Sequence, residues 1–288
     1  MMTVLECVKY VEDHLEVRYA TENGAFKAGR IINATGSVNH SIGCAQPSAE
    51  VMFKLMNKNT AGWAVNAILG DFHLGEGRII LSMPLNGRPW GCGSGSKGSW
   101  NNSKVQWEVC EPAGHTYAGG TMVGYNVQKN KTYFDRMWKM LVCWNVYVIT
   151  RLGFDVSGIS DHTEAYEAGY GSNHSDMSQW LPKHGKSMDA LRQEVQAILN
   201  NKEDIDMSDN NSKMDVKEFG DLLLKYRATL QDNDASQYSE QARDWAIGSG
   251  LISGGSATEF NGMWEDFLTR EQLVTILYKF AKMMGMAQ

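Results

Sequence analysis

The chain contains few of the residues that mark the specialised classes of protein. Only 5 of its 288 residues are proline and 43% are apolar, a composition typical of a globular protein rather than a disordered one. The longest mostly apolar stretch, Met137–Thr150, is interrupted by Lys139 and Asn145 and is too short to cross a bilayer. The sequence therefore predicts a folded protein without a membrane span.

An excess of positive charge is absent as well. Residues 201–288 hold 9 basic and 15 acidic side chains, which accounts for the whole net charge of −6, and residues 1–200 are balanced. Neither part has the basic excess that a phosphate backbone attracts. The charge therefore argues against nucleic acid as a partner.

Cysteine is present in an odd number and without close pairs. The 5 cysteines include no CxxC motif, which argues against a zinc knuckle and against a disulfide framework. We expect reduced, mostly buried thiols in a protein made in the cytoplasm. The first 15 residues carry charges where a signal peptide needs an apolar core, so we expect no export signal: Glu6, Lys9, Glu12 and Asp13.

Strand-like runs alternate with helical patterns before residue 200. Arg30–Asn33, Arg78–Met83 and Lys104–Cys110 are typical of strands, whereas Ser48–Asn57 and Thr132–Thr150 have the apolar spacing of helices. Such alternation predicts an α/β fold with a central mixed sheet flanked by helices.

The composition changes near residue 200. Residues 201–214 are polar, acidic and aperiodic, which is typical of a linker. Beyond them, apolar residues trace one helix face from Val216 to Leu230, and the capping box at Thr269–Gln272 precedes a second amphipathic helix. We therefore expect an α/β domain over residues 1–200, a linker over 201–214 and a small all-α module over 215–288.

Three polar clusters contain residues that can bind a metal or accept a proton. His40 lies in the first, and the second is a strand whose alternation places Gln106, Glu108 and Cys110 on one face. The third cluster is a longer run that contains Asp161, His162, Glu164, His174 and Asp176.

Histidine and carboxylate side chains of this kind can make a three-ligand zinc site with an open position for water. A nearby glutamate can then take the proton from that water. Spacing alone leaves open that these histidines are separately solvated or buried in the core. The remaining histidines stand in polar or loop contexts and are expected at the surface: His14, His73, His115 and His184.

Six short motifs follow one another between residues 40 and 176. They are His40–Ala49, Gly62–Val65, Arg88–Trp90, Gly98–Asn102, Glu108–Pro112 and Ser172–Asp176. Together they resemble the zinc-dependent N-acetylmuramoyl-L-alanine amidases of the amidase-2 group, relatives of the peptidoglycan recognition proteins that are common in Gram-positive autolysins and phage endolysins. The resemblance covers about residues 25–199 and implies the amidase-2 fold, with bacterial peptidoglycan as the substrate.

The resemblance implies a metal site made from three of these residues. His40 matches the first zinc ligand, His162 the second and Asp176 the third, with His174 facing the oxyanion. Met177 stands where relatives carry proline after the third ligand, so His174 is an alternative third ligand.

The same resemblance implies a reaction. A zinc-activated water would cleave the amide between N-acetylmuramic acid and L-alanine, with Glu108 as the general base that passes the proton to the leaving amine. A protonated His174 would stabilise the oxyanion.

Three departures from the family pattern leave other functions open. Asn66, Gly91 and Lys104 stand where many relatives carry histidine, which puts activity in doubt. One alternative is a non-catalytic peptidoglycan-binding protein on a degenerate amidase fold. Another is a different zinc hydrolase on the same scaffold, such as a peptidase that cuts within the stem peptide.

The tail resembles one S-layer homology motif, through Trp245, Gly250–Gly254, Phe260, Leu268–Leu273 and Tyr278. In that family the motif binds secondary cell-wall polymers, usually as three copies. A single copy implies either wall binding or a homo-oligomer formed through residues 215–288, and a helical appendage on the amidase is the alternative. Together with the missing export signal, the resemblance implies a phage or prophage endolysin that is made in the cytoplasm and acts on the cell wall.

Overall fold

The computed structural model describes residues 2–201, 216–230, 235, 237–252, 262–264, 266 and 268–286. The chain divides into two compact units, Met1–Ile205 and Asp206–Gln288. The predicted linker, apart from Asn201, lies outside the described residues, and so do Ser253, Gly254 and Phe260 of the tail motif. The roles assigned to the two parts of the chain stay predictions.

A six-stranded sheet forms the centre of the first unit. Its strands lie in the order β1-β4-β3-β5-β2-β8, and all neighbours are parallel except the antiparallel pair β3 and β4. The strands are β1 (Leu15–Val17), β2 (Gly36–Ser41), β3 (Ala67–Gly70), β4 (Arg78–Leu81), β5 (Lys104–Val109) and β8 (Ile159–Asp161), and a separate hairpin is formed by β6 (Thr116–Ala118) and β7 (Thr121–Val123).

Helices cover both faces of this sheet, so the predicted α/β class is confirmed. α1, α4 and α7 pack on one face around the larger apolar core, and α3 packs on the other. The helices of the first unit are α1 (Val4–His14), α2 (Gly24–Lys27), α3 (Ala49–Met56), α4 (Lys131–Leu152), α5 (His162–Glu167), α6 (Asp176–Trp180) and α7 (Met188–Asn200).

A buried polar contact joins α4 to the middle of the sheet. Asn39 Oδ1 on β2 accepts hydrogen bonds from Trp107 Nε1 at 2.8 Å and from Asn145 Nδ2 at 3.1 Å. All three residues are buried, and the Trp107 ring meets Trp144 of α4 edge to face. Because successive strand residues point to opposite faces, Asn39 on the α4 side places His40 on the other side.

The predicted strand at Arg30–Asn33 is wrong. Within that run, Ile31 makes an isolated bridge to Gly87, and its side chain is 73% exposed. The strand begins instead at Gly36, where the backbone passes against the carbonyl of Gly158 so closely that any side chain would collide with it. Short apolar runs do not distinguish these two segments, since the contacts of the strand come from β5 and from Gly158, both distant in the sequence.

The described part of the second unit is helical. It contains α8 (Val216–Thr229), α9 (Glu240–Gly248) and α10 (Arg270–Met283), and α10 begins at the predicted capping box of Thr269 and Gln272. Several apolar side chains along α10 are exposed, including Leu273, Leu277 and Phe280. None of the helices in the described ranges has the length and apolar character needed to cross a bilayer.

The five cysteines are free thiols, and the predicted burial is confirmed for most of them. Four of them are buried, namely Cys7, Cys92, Cys110 and Cys143, and Cys44 is exposed.

Candidate active site

The sheet brings His40 and Glu108 side by side. His40 on β2 and Glu108 on β5 are register partners in a parallel pair, so both side chains project from the face opposite α4. Each lies one residue before its strand ends. The carboxyl ends of adjacent parallel strands are the usual place for a site in an α/β fold.

The neighbouring strand β8 delivers His162 to the same edge. Asn39 is the register partner of Asp161, and His162 is the first residue of the helix that follows. Asp161 caps this helix by accepting a hydrogen bond from the backbone of Glu164, whose side chain accepts one from the Asp161 backbone. Arg192 of α7 forms a bidentate ion pair with Glu164, which ties the first turn of α5 to α7.

Asp176 joins the two histidines. Its Oδ2 lies 2.7 Å from His40 Nδ1 and 3.0 Å from His162 Nδ1, and one donor atom from each of the three residues falls within 4.8 Å of the others. Burial alone would raise the pKa of the Asp176 carboxyl. Hydrogen bonds from His162 and His40 outweigh burial together and hold this pKa well below its usual range.

The backbone of Asp176 is strained. Its φ is 29°, in the left-handed region that non-glycine residues rarely adopt. Such a conformation costs about 1–3 kcal/mol and is concentrated at functional sites. The strain therefore indicates that Asp176 is held in this conformation because its carboxylate has a role at the site.

The donor set fits a zinc ion. Two imidazole nitrogens and one carboxylate oxygen are ligands of three-ligand zinc sites. The second nitrogen of each ring also has a partner: His40 Nε2 lies 3.1 Å from Gln106 Oε1, and His162 Nε2 lies 3.2 Å from Ser172 Oγ. Outer partners of this kind accompany metal-binding histidines and orient them.

Glu108 provides a carboxylate that is free to accept a proton. Its Oε2 is shielded from solvent and has no hydrogen-bond partner among the described residues. Burial raises the pKa of Glu108 well above its usual value, the charge of Asp176 raises it further, and His162 lowers it. An unpartnered carboxylate with a raised pKa is typical of a general base.

An open cleft begins at Glu108. It has a volume of about 570 Å³, and its lining combines an apolar floor from Met52, Leu55 and Trp63 with the ammonium group of Lys58. A larger cavity of about 630 Å³ lies between α4 and α7 and includes Cys143. Glu108 lines the cleft, and neither Glu108 nor any of the three clustered donors lines the larger cavity, so we place the candidate site where the cleft meets Glu108.

His174 lies beside the cluster. Its ring centroid is 4.7 Å from that of His162, its Nδ1 is 3.1 Å from Ser172 Oγ, and its side chain is exposed. It is not one of the three residues whose donor atoms converge.

His115 is buried, so its expected place at the surface is wrong. Its Nε2 lies 2.8 Å from Glu111 Oε2, and both side chains are fully buried. Glu111 also accepts hydrogen bonds from Tyr117 and from the backbone of Gly43. The loop after β5 folds back on itself, and the pair supports the turn that follows His40.

Two of the three departures from the family pattern have structural contacts. Asn66 Oδ1 accepts a hydrogen bond from the backbone of Gln106 at 2.8 Å, and its amide nitrogen donates to the carbonyl of Gly87 at 2.8 Å. Lys104 Nζ donates to Ser160 Oγ at 2.6 Å and lies over the ring of Trp100. Burial lowers the pKa of Lys104 to about 8.

Gln106 and Ser172 are site residues to which the sequence alone gives no role. The strand alternation had already placed Gln106 on the face of Glu108, and Ser172 lies inside a quoted motif. Their contacts with the histidines depend on tertiary structure, and no spacing rule reports them.

No family model matches the chain, and no curated protein matches it. Among solved structures, the chain is similar to PlyL, with 13% identity and a TM-score of 0.43 over 63% of this chain and 95% of that one. It is similar to the Staphylococcus aureus hydrolase AmiA, determined with its ligand, with 17% identity and a TM-score of 0.43 over 63% and 80%. It is also similar to the PlyG catalytic domain, with 13% identity and a TM-score of 0.45 over 64% and 93%. Likenesses this distant assign no function, so the proposal below rests on the residues of this chain.

Proposed function

We propose that the chain is a zinc-dependent peptidoglycan hydrolase that cleaves the amide bond between N-acetylmuramic acid and L-alanine. One observation carries the proposal: the donor atoms of His40, His162 and Asp176 converge at the edge of the sheet where Glu108 presents an unpartnered carboxylate oxygen. A metal-binding set beside a free base is the arrangement that hydrolysis of an amide needs.

His40, His162 and Asp176 would hold the zinc, which when bound supplies a Lewis acid for the amide carbonyl and acidifies water. Glu108 accepts a proton from the attacking water and passes it to the amine of the departing L-alanine. Its lack of other hydrogen bonds leaves the oxygen available for both transfers. His174, exposed beside His162, would donate a hydrogen bond to the oxygen of the tetrahedral species.

The cleft supports a peptide-bearing substrate. Its apolar floor can cover the side chains and backbone of a stem peptide, and Lys58 offers a positive charge to a carboxylate of that peptide. In this proposal the stem peptide lies in the cleft, so the protein binds the cell wall through the face that carries Glu108. The tail module, including the exposed face of α10, is proposed to bind a wall polymer or to join chains together.

The test is digestion of purified Gram-positive peptidoglycan, with and without a chelator. New N-terminal L-alanine without new reducing sugar ends, abolished by the chelator and by His162→Ala, is the expected result. New amino termini from residues inside the stem peptide would instead identify a peptidase. No release from several wall types, while the protein still sediments with them, would identify a non-catalytic binder.

A further inference from the structure

His40 is contacted on both sides of its ring. Nδ1 faces Asp176, and Nε2 lies 3.1 Å from Gln106 Oε1. The exposed fractions of His40 and Gln106 are 1% and 0%, so water does not compete for the second contact. A hydrogen bond between two groups that are both shielded from water is well suited to fix the orientation of the ring.

The direction of this hydrogen bond follows from a backbone amide. The N–H of Cys92 can only donate, and it lies 3.0 Å from the side-chain oxygen of Asn101. The same oxygen accepts a hydrogen bond from Gln106 Nε2 at 2.9 Å. The other end of the Gln106 amide, its oxygen, therefore faces His40. Since this oxygen can only accept, Nε2 of His40 carries a hydrogen, and Nδ1, which faces Asp176, is the nitrogen that can give up its hydrogen to bind a metal.

Ser172 does not constrain His162 in the same way. Its hydroxyl lies 3.2 Å from His162 Nε2, 3.1 Å from His174 Nδ1 and 3.4 Å from the carbonyl oxygen of Cys92. The hydroxyl can donate to or accept from either ring nitrogen, and it can also donate to the carbonyl oxygen. Of these two contacts, the one between Gln106 and His40 therefore has a fixed direction, and the one between Ser172 and His162 does not.

The backbone at Gly91 leaves room for the Gln106 amide. A Cβ atom at this position would lie 2.5 Å from Gln106 Oε1, 3.1 Å from Val65 Cγ1 and 3.5 Å from His40 Nε2. Any larger residue would push the amide oxygen away from the histidine. The absence of a side chain at Gly91 and the presence of Gln106 therefore form one arrangement.

We propose that Gln106 is a positioning residue for the metal centre, which holds His40 with Nδ1 toward the metal, and that Gly91 is required for this contact. The inference rests on the proposed function, because it assumes that His40 binds zinc. Loss of an outer hydrogen bond to a metal-binding histidine typically weakens metal affinity by about 10–100-fold.

Zinc affinity of the full chain tests the inference, measured by competition with a chromophoric chelator. Gln106→Met keeps the length of the side chain without its acceptor, and Gly91→Ala displaces the acceptor without altering Gln106. Both are expected to weaken zinc binding by about 10–100-fold. Gln106→Glu keeps an acceptor oxygen toward His40 but loses the hydrogen bond to Asn101, so it is expected to bind zinc more tightly than Gln106→Met. Gln196→Met, the same substitution on the far helix α7, is expected to change nothing.

A spectroscopic readout separates positioning from general loss of packing. In the zinc-loaded wild type, NMR should show a His40 Nε2–H proton that is protected from exchange with solvent, and this protection should be lost in Gln106→Met. Equal weakening by Gln106→Met and Gln106→Glu would overturn the inference, because the acceptor would then not matter. If Gln106→Met does not fold, Gly91→Ala gives the same comparison.

The metal centre and the positioning role of Gln106 can be refuted separately. A wild type that binds no zinc would overturn the metal centre itself. Tight zinc binding by the wild type together with unchanged affinity in Gln106→Met and Gly91→Ala would overturn the positioning role alone.

Discussion

Replacing Glu108 by glutamine should inactivate the protein and stabilise it at the same time. The carboxylate oxygen of Glu108 is buried without a partner among the described residues, and the negative charge of Asp176 acts on it. Glutamine has nearly the same shape but no charge. The substitution therefore removes the base while it relieves the cost of keeping a charge out of water.

The expected sizes follow from these contacts. Loss of the base should lower turnover by about 10²-fold or more. An amide in the same place has no partner either, so only the cost of the charge is relieved. Since a pKa shift of one unit corresponds to about 1.4 kcal/mol, the unfolding free energy of metal-free Glu108→Gln should exceed that of the wild type by about 1 kcal/mol near pH 7.

The stability difference should depend on pH. Because the pKa of Glu108 is higher in the folded state than in the unfolded chain, the folded state holds this proton more tightly. The wild type therefore loses stability as the pH rises above the unfolded value of about 4.3, whereas Glu108→Gln has no such group. The gap between the two proteins should widen from about pH 4.5 upward.

Urea unfolding in the presence of a chelator, at several pH values, measures this difference. Glu167→Gln is the matched control, since Glu167 is an exposed residue of α5 and its replacement should change stability by less than about 0.5 kcal/mol. If Glu108→Gln is no more stable than the wild type at any pH, the charged Glu108 carboxylate does not lower the unfolding free energy. If it hydrolyses peptidoglycan at the wild-type rate, Glu108 is not the base.

Three further changes test the surroundings of the site. Gly36→Ala should lower the unfolding free energy by about 1–3 kcal/mol in urea, because the added Cβ would collide with the Gly158 carbonyl. An unchanged urea midpoint would show that β2 and the backbone at Gly158 are not in contact. His115→Ala removes a buried hydrogen-bond partner of Glu111 and should cost about 1–3 kcal/mol, whereas a loss below about 0.5 kcal/mol would mean that the pair is not buried. A chain ending at about residue 205 should fold and keep its zinc but sediment less with cell walls, and an unfolded product by circular dichroism would refute the division into two units.

Two of the six strands of the sheet, β4 and β5, could be predicted from local patterns. The alternation in Lys104–Val109 placed Val105, Trp107 and Val109 in the core and left Gln106 and Glu108 on the other face, as the structure has them. The helices α3 and α4 agree with their predicted ranges within two residues, because their apolar spacing is regular over several turns.

The site geometry could not be derived from such patterns. His40 and Asp176 are 136 residues apart, and only the order of the strands and the turn into α6 bring them into contact. The burial of His115 could not be predicted for the same reason. Its sequence neighbours are typical of a solvated loop, and the buried carboxylate of Glu111 that pairs with it is a tertiary contact. The chemistry of the residues was visible in the sequence, but the partner of each residue depends on tertiary contacts.

Metal analysis of two variants tests the central claim most directly. The wild type, Asp176→Ala and His174→Ala should be dialysed against zinc, freed of loosely bound metal and measured by plasma mass spectrometry. The convergence of His40, His162 and Asp176 predicts that the wild type and His174→Ala each retain a single zinc ion, and that Asp176→Ala retains almost none. A wild type without zinc, or an Asp176→Ala variant that keeps it while His174→Ala loses it, would contradict the account.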